Sequence, residues 1–304
     1  MTATLRSLVA EELSQPVDPR VTVMAAAIAA KYGDSSRAVL FYGSCLREQQ
    51  LAGLMLDFYL IVSDYDAAYG RGWLSRANAL IPPNVFPFHH GELASKYAVL
   101  SEADFERECG PNARSVSVLA RFAQPARLVW SANQLAVTRA VDAVTAAAPT
   151  LLEWTLPVSG DGSIGQLWKR AFSLTFAAEL RAERSDRSAK IVDADPERFE
   201  RIGMAVLADI AERRGVGPNG EVPLLVRRDR MERRWRVMQW KGKALSVVRL
   251  AKASATYAGG ADYIVWKINR HAGTTIELKP WQRRHPLLAA ISLLPRLLRS
   301  GAIR

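Results

Sequence analysis

The chain has 304 residues, of which 49% are hydrophobic and 23% are charged. This hydrophobic content excludes an intrinsically disordered chain and is ample for the packed core of one large domain or two modest ones. Lys and Arg outnumber Asp and Glu by 41 to 30, a net charge of +11. Such a charge favours acidic partners: nucleic acid, nucleotide phosphates or an anionic membrane surface.

Two cysteines, Cys45 and Cys109, are too few for a disulfide framework, and no Cys/His spacing is typical of a structural zinc site. No run reaches the roughly 18 apolar residues that a membrane-spanning helix needs. Residues 1–15 carry two acids and no sustained apolar core, so we expect neither a secretory signal nor a transit peptide. A reducing cytoplasm fits these features best.

Hydrophobic periodicity and turn residues predict a mixed α/β (α+β) fold. In chain order, we expect a helix over 21–32, strands over 38–42 and 54–62, a helix over 67–80, strands over 86–90 and 93–100, helices over 102–112, 131–148, 166–178 and 198–213, and a strand over 263–268. Pro149 favours a domain boundary, which gives domains over 1–148, 149–225 and 226–304.

The most informative stretch is 38–62, in which two apolar strands flank a loop. The first strand ends at Gly43-Ser44, where a glycine allows close approach of the backbone to a ligand and Ser44 offers a hydroxyl and an N–H. Asp57 lies inside the second apolar strand, where a carboxylate is costly unless a cation meets it. Gly-Ser turns are also common between strands, and a single aspartate can simply cap a neighbouring loop.

A strand, a Gly-Ser turn and a second strand with an acid resemble the DNA polymerase β-type nucleotidyltransferases. In that superfamily the turn holds a nucleotide triphosphate and the strand acid holds Mg²⁺. A second acid usually follows two residues after the first, and here that position is Tyr59. The chain departs from the superfamily pattern at this residue.

Four segments, 41–58, 96–101, 121–129 and 179–192, are similar in sequence and in order to segments of one family, the mitochondrial-type phosphatidate cytidylyltransferases, also called the translocator assembly and maintenance family. These enzymes make CDP-diacylglycerol from CTP and phosphatidic acid. Ala98 stands in place of a family glycine, and Gln124 in place of a lysine whose contact Arg127 could supply. The stretch 181–187 also fits a solvated, salt-bridged helical face.

The resemblance implies roles for individual residues. Tyr42, Gly43 and Ser44 would bind the nucleotide, with Lys96 and Arg121 on its phosphates. Asp57 would hold Mg²⁺, and Glu179 would be either a further metal ligand or a residue that orients Arg181. Arg181 would reach in from a second, winged-helix-like domain, so the catalytic set is Asp57, Lys96, Arg121 and Arg181. The implied partners are CTP and phosphatidic acid or a related phospholipid.

Two acidic or histidine-containing segments have simpler interpretations than metal binding. Asp64 and Asp66 fit cap and turn positions better than metal ligands. His89 and His90 are adjacent on a predicted strand, so they point to opposite faces, and we expect them to be structural.

The C-terminal region is basic. Trp235 and Trp240 are interleaved with Arg and Lys over 227–243, a pattern that could also bind nucleic acid. Residues 286–299 predict an amphipathic helix flanked by arginines, which suits the headgroup plane of an anionic membrane or docking on the protein's own core. With the resemblance, we expect no nucleic-acid partner and a cytoplasmic location, peripheral on the inner face of the cell membrane.

Two other functions stay open at this level. One is a nucleotidyltransferase acting on a soluble small molecule or RNA. The other is a non-catalytic nucleotide-binding relative, which Tyr59 in place of a second acid favours.

Overall fold

The computed structural model describes residues 4–48, 51, 54–160, 162–179, 187–215, 227–256 and 277–284. The strands are β1 Ser36–Tyr42, β2 Met55–Val62, β3 Asn84–His90, β4 Leu93–Ser101 and β5 Ala126–Ser131. The helices are α1 Leu5–Ser14, α2 Pro19–Ala30, α3 Ser44–Glu48, α4 Tyr65–Tyr69, α5 Trp73–Leu80, α6 Glu102–Cys109, α7 Val116–Phe122, α8 Gln134–Ser159, α9 Ile164–Ala177, α10 Arg187–Asp193, α11 Pro196–Arg214, α12 Arg228–Thr256 and α13 Pro280–Arg284.

The five strands form one mixed sheet in the order β3-β4-β2-β1-β5. Strands β2 and β4 are parallel, and the other neighbouring pairs are antiparallel. The register places Asp57 of β2 between Tyr42 of β1 and Lys96 of β4. The mixed α/β fold predicted from the sequence is therefore confirmed.

Each face of the sheet is covered by helices because successive side chains along a strand point to opposite sides. One face presents Val39, Phe41 and Phe58 to helix α2. The other presents Leu40 and Tyr59 to a larger core to which α1, α6 to α9 and α11 contribute. Asp57 shares the face of Tyr59, so the candidate site opens toward the larger helical layer.

Helix α8 is the central element of that layer. It runs to Ser159 through Pro149, so the predicted helix end at 148 is wrong. Leu151, Leu152 and Trp154 beyond the proline are all buried, and this packing outweighs the lost hydrogen bond. The domain division at 148/149 stays a prediction, but it falls inside a continuous helix. Among the described residues α8 alone is long and apolar enough to cross a membrane, and 61% of its apolar window is buried in the protein, as expected of a core helix.

Other boundaries differ from the prediction for local reasons. The predicted helix over 67–80 is two helices, because Gly70 has φ +70° and ends the first one. The predicted helix start at 131 is wrong because residues 126–131 form the edge strand β5. Asp64 caps α4, and Asp66 accepts from Ser75, which confirms their interpretation as cap and turn residues. The predicted strand over 263–268 and helix over 286–299 lie outside the described residues.

Helix α12 is anchored on the helical layer. Trp235 is buried and donates from Nε1 to the carbonyl oxygen of Trp154 at 2.9 Å, and the Arg234 guanidinium lies 4.0 Å from the ring centroid of Trp154. Farther along, Gly242 packs so closely on the end of α9 that a Cβ there would overlap the carbonyl oxygen of Ala178. These contacts bring the later turns of α12 toward the sheet.

Candidate functional site: a basic cavity beside the strand ends

The turn after β1 is built around Gly43. Its φ of +97° lies in the left-handed region, where a side chain is strained. A Cβ at this position would also lie 3.1 Å from Oδ2 of Asp57. Glycine therefore allows the turn to pack directly against the carboxylate, and α3 begins at the next residue, Ser44.

Asp57 is paired across the sheet with Lys96. The parallel register sets the two residues side by side, and Lys96 Nζ lies 3.0 Å from Asp57 Oδ1. The cation balances the charge of the half-buried acid, but among the described residues Oδ1 is buried without a partner in hydrogen-bond geometry. Within the described part of the chain, Oδ1 thus has the charge of Lys96 beside it but no hydrogen bond, so it can still accept one from a ligand or bind a cation.

The predicted residues Arg121 and Glu179 also meet. Arg121 Nη1 lies 3.2 Å from Glu179 Oε1, and Glu179 accepts a 2.7 Å hydrogen bond from the Ser117 hydroxyl. Burial alone would lower the pKa of Arg121, but the neighbouring Glu179 and the phenols of Tyr59 and Tyr42 outweigh it, so the pKa is well above its usual range. Arg121 is thus a permanent cation.

Two further cations come from α12, and the sequence interpretation missed both. Arg249 donates from Nε to the carbonyl oxygen of Pro82 at 2.9 Å and from Nη1 to Ser117 Oγ at 3.1 Å. Lys252 donates to the carbonyl oxygen of Ile81. Burial lowers the pKa of Arg249, and burial together with the charge of Arg249 lowers the pKa of Lys252 to about 8.

These side chains surround one cavity of about 170 Å³. Its lining residues are Tyr42, Phe58, Tyr59, Pro83, Val85, Lys96, Ala98, Ser117, Arg121, Arg249 and Lys252. Of these described residues, four are cationic and none is a carboxylate. Asp57 and Glu179 each balance one of these cations through an ion pair. The described part of the lining is therefore rich in positive charge, which favours an anionic ligand.

Tyr59 occupies the position where the resemblance calls for a second acid. The side chain is 3% exposed and packs with ring centroids 5.3 Å from Tyr42 and 5.2 Å from Phe122. Burial raises the pKa of its phenol, so the hydroxyl stays protonated. It is an aromatic wall of the cavity rather than a metal ligand.

The predicted magnesium ligands are therefore few. Among the described residues, no group of three or more His, Cys, Asp and Glu side chains could hold a metal ion. Mg²⁺ is often held by one or two carboxylates together with substrate phosphates. Asp57, with its unsatisfied buried oxygen, fits one such ligand, whereas Glu179 is engaged with Arg121 and Ser117.

Two predicted phosphate contacts remain, those of Arg181 and Arg127. Arg181 falls outside the described residues. Arg127, suggested as a substitute for the lysine absent at Gln124, donates to Gln15 instead and does not line the cavity. No protein-family model matches the chain, and no curated protein matches it.

Proposed function

We propose that this protein is a nucleotidyltransferase that converts CTP and phosphatidic acid to CDP-diacylglycerol and pyrophosphate for phospholipid synthesis at a membrane surface. The observation that carries the proposal is the convergence of the Gly43 turn, Asp57 and Lys96 at one end of the sheet. The four segments that resemble the phosphatidate cytidylyltransferases include these residues. The five-stranded mixed sheet is compatible with a polymerase β-type nucleotidyltransferase domain. We propose that a mainly helical, winged-helix-like domain follows it.

The chemistry needs charge neutralisation more than covalent catalysis. A phosphate oxygen of the acceptor forms a bond to the α-phosphorus of CTP, the bond from that phosphorus to the bridging oxygen breaks, and pyrophosphate leaves with the electron pair. A phosphomonoester has a second pKa near 6 and is largely deprotonated at neutral pH. The reaction therefore requires no general base, in keeping with a cavity lined by cations.

Individual residues then have distinct tasks. The turn at Gly43 and Ser44 lets backbone and hydroxyl donors approach the phosphates. Lys96 and Arg121 balance their charge and orient them. Asp57 would hold Mg²⁺, which supplies further neutralisation of the triphosphate when bound. The charge of Arg121, fixed by Glu179, does not change near neutral pH.

The membrane location is supported by the outer side of α12. Trp240 is 73% exposed and Val237 is 45% exposed, and the exposed arginines Arg233 and Arg236 lie on the same helix. An exposed tryptophan among basic residues is typical of a helix lying at a lipid headgroup surface. We therefore propose a peripheral location on the inner face of the cell membrane and no nucleic-acid partner.

Pyrophosphate release tests the function. Purified protein is incubated with CTP and Mg²⁺ and with vesicles that contain or lack phosphatidic acid. We expect release that needs phosphatidic acid and falls at least 10²-fold in Asp57→Asn, by comparison with about 10² to 10³ for the loss of one preorganised charge contact. Asp142→Asn is the matched control, since its carboxylate is 54% exposed and pairs with Arg6 on the surface.

Tyr59 supports a second candidate, a non-catalytic nucleotide-binding protein. The buried phenol replaces the second acid of the superfamily, so the metal site has fewer ligands. In that case CTP would raise the unfolding temperature without pyrophosphate release from any acceptor. Release that depends on soluble phosphomonoesters but not on lipid would instead indicate a soluble acceptor.

A further inference from the structure

The cavity has a wall that the resemblance to known enzymes does not include. Arg249 and Lys252 lie on α12, beyond the last similar segment at 179–192, and both line the cavity. Neither residue is needed to explain how the turn at Gly43 would hold a triphosphate. The two α12 cations therefore call for a separate explanation.

Arg249 is held in place with donors to spare. A guanidinium has five N–H donors, and three are directed at neutral oxygens: those of Pro82 at 2.9 Å, of Ser117 at 3.1 Å and of Ser115 at 3.5 Å. Among the described residues Arg249 forms no ion pair. A planar guanidinium with two remaining N–H groups suits the bidentate binding of a phosphate group.

Like charges converge at this wall. Arg121 donates to the carbonyl oxygen of Ser117, and Arg249 donates to the hydroxyl of the same residue. Lys252 lies one turn from Arg249 on α12 and donates to the loop that precedes β3. Cations held together in a half-buried cavity repel each other, and the attraction of both to an anion bound between them outweighs that repulsion.

The neighbouring lining is apolar. Pro83, Val85 and Ala98 line the same cavity as the two cations. At about 170 Å³ the cavity is smaller than the roughly 300–1,000 Å³ of pockets that bury a whole drug-sized ligand. It fits the phosphate end of a ligand together with an adjoining apolar group, with the rest of the ligand outside.

We propose that Arg249 and Lys252 form a second anion subsite in this cavity, which holds the phosphomonoester of the acceptor. Lys96 lines the same cavity and belongs to the proposed nucleotide site, together with its partner Asp57 and the turn at Gly43. The identity of the acceptor rests on the proposed function. The subsite itself rests on the cavity and its contacts. Helix α12 thereby brings the phosphate of the acceptor close to the triphosphate of CTP.

Binding measured without turnover tests the subsite. Isothermal titration calorimetry on the full chain, without CTP, uses dioctanoyl phosphatidic acid, glycerol 3-phosphate and inorganic phosphate as separate probes. CTP binding is measured separately, without an acceptor. The variants are Arg249→Gln and Lys252→Met, and the matched controls are Arg230→Gln and Lys243→Met, at exposed positions of the same helix.

We expect each subsite variant to weaken phosphatidic acid binding about 10- to 100-fold, the effect of losing a charge-assisted hydrogen bond. CTP binding should change by less than about 3-fold, since neither variant alters Gly43, Asp57 or Lys96 of the proposed nucleotide site. The controls should bind both ligands as the unmodified protein does. Arg249→Lys keeps the positive charge but loses the planar set of N–H donors of the guanidinium, so its affinity for phosphatidic acid should be intermediate. Such a partial loss in a conservative variant separates lost binding contacts from a folding defect.

Unchanged phosphatidic acid binding in both subsite variants would overturn the proposal, as would an equal loss of CTP binding. Tighter binding of dioctanoyl phosphatidic acid than of glycerol 3-phosphate supports a lipid source, whereas equal binding of the two overturns it. A failure of the proposed function can be distinguished from a failure of the subsite. If the unmodified protein binds phosphatidic acid through Arg249 but releases no pyrophosphate, the subsite is supported and the proposed reaction is contradicted. If release occurs with an unchanged KM for phosphatidic acid in both variants, the reaction stands and the subsite does not.

Discussion

The charge on Lys252 should destabilise the folded protein in a manner that depends on pH. Its amine is half-buried near Arg249, and burial followed by the charge of Arg249 lowers its pKa from 10.5 to about 8. We therefore expect Lys252→Met to raise the free energy of unfolding at neutral pH, where the amine is charged, but not in strongly alkaline solution. An exposed lysine on the same helix, Lys243, provides the control.

The size of the effect follows from the two pKa values of Lys252. A drop from 10.5 to about 8 at 1.36 kcal/mol per pKa unit corresponds to about 3 kcal/mol. The amine is still partly solvated, and screening by water reduces such terms. We expect about 1–2 kcal/mol of pH-dependent destabilisation after this reduction.

The direction follows from proton binding in the two states. Below pH 8 the Lys252 amine is charged in both the folded and the unfolded protein, and the full cost is present. Between pH 8 and 10.5 the folded protein loses this proton while the unfolded chain keeps it, so the free energy of unfolding rises with pH. Lys252→Met has no such group and lacks this rise.

Urea unfolding at pH 7, 8.5 and 10 measures the difference. From pH 7 to 10 the free energy of unfolding of the unmodified protein should gain about 1–2 kcal/mol relative to Lys252→Met. Lys243→Met should follow the unmodified protein at every pH. Parallel curves for the unmodified protein and Lys252→Met would refute the conclusion that Lys252 is a desolvated cation.

Three further substitutions test how the site is supported. Gly43→Ala should lose about 1–2 kcal/mol of stability from its positive φ and the close approach to Asp57, with at least a tenfold fall in pyrophosphate release; unchanged release would contradict the proposed turn. Gly242→Val should displace α12 and weaken phosphatidic acid binding in calorimetry, although the residue does not line the cavity, and normal binding would show that α12 tolerates the side chain. Glu12→Gln leaves the guanidinium of Arg198 buried without its ion partner at 2.6 Å and should cost about 3 kcal/mol in urea unfolding; a loss below 1 kcal/mol would contradict this.

Local patterns in the sequence predicted the strands that carry the site. The run 38–42 is dense in branched and aromatic residues and ends at a glycine, and β1 ends at Tyr42 as expected. Asp57 stood out because a carboxylate interrupts an apolar strand. The resemblance predicted Lys96 as a contact to the nucleotide phosphates, not as the ion partner of Asp57, and the parallel register of β2 and β4 accounts for that ion pair.

Other parts of the site depend on contacts distant in sequence. Arg249 is one of many basic residues on a long helix, and its own neighbours give no sign that it enters a cavity. Its place follows from Trp235 packing on Trp154 and from Gly242 packing on Ala178. Pairwise contacts over such separations leave no periodic signal in the chain. For the same reason, Pro149 predicted a helix end that tertiary packing overrides.

The destabilising charge of Lys252 has a consequence for binding. An anionic phosphomonoester beside Lys252 favours the protonated amine, so binding and protonation must reinforce each other. Among the described residues, the charged and titratable groups around the cavity are Arg249 on α12, Lys96 with its partner Asp57, Arg121 with its partner Glu179, Glu108 on α6, and the phenols of Tyr42 and Tyr59.

Burial and the charge of Arg249 lower the pKa of Lys252 to about 8, while the second ionisation of the ligand, near pH 6, is complete. Affinity for dioctanoyl phosphatidic acid should therefore fall between pH 7 and 9.5 in the unmodified protein and stay flat in Lys252→Met, as measured by calorimetry. A flat affinity profile in both proteins would show that Lys252 does not lie beside the bound phosphate. A matching fall in both would assign the pH dependence to another group. The expected pattern would mean that a charge costly to the folded protein is retained because the ligand needs it.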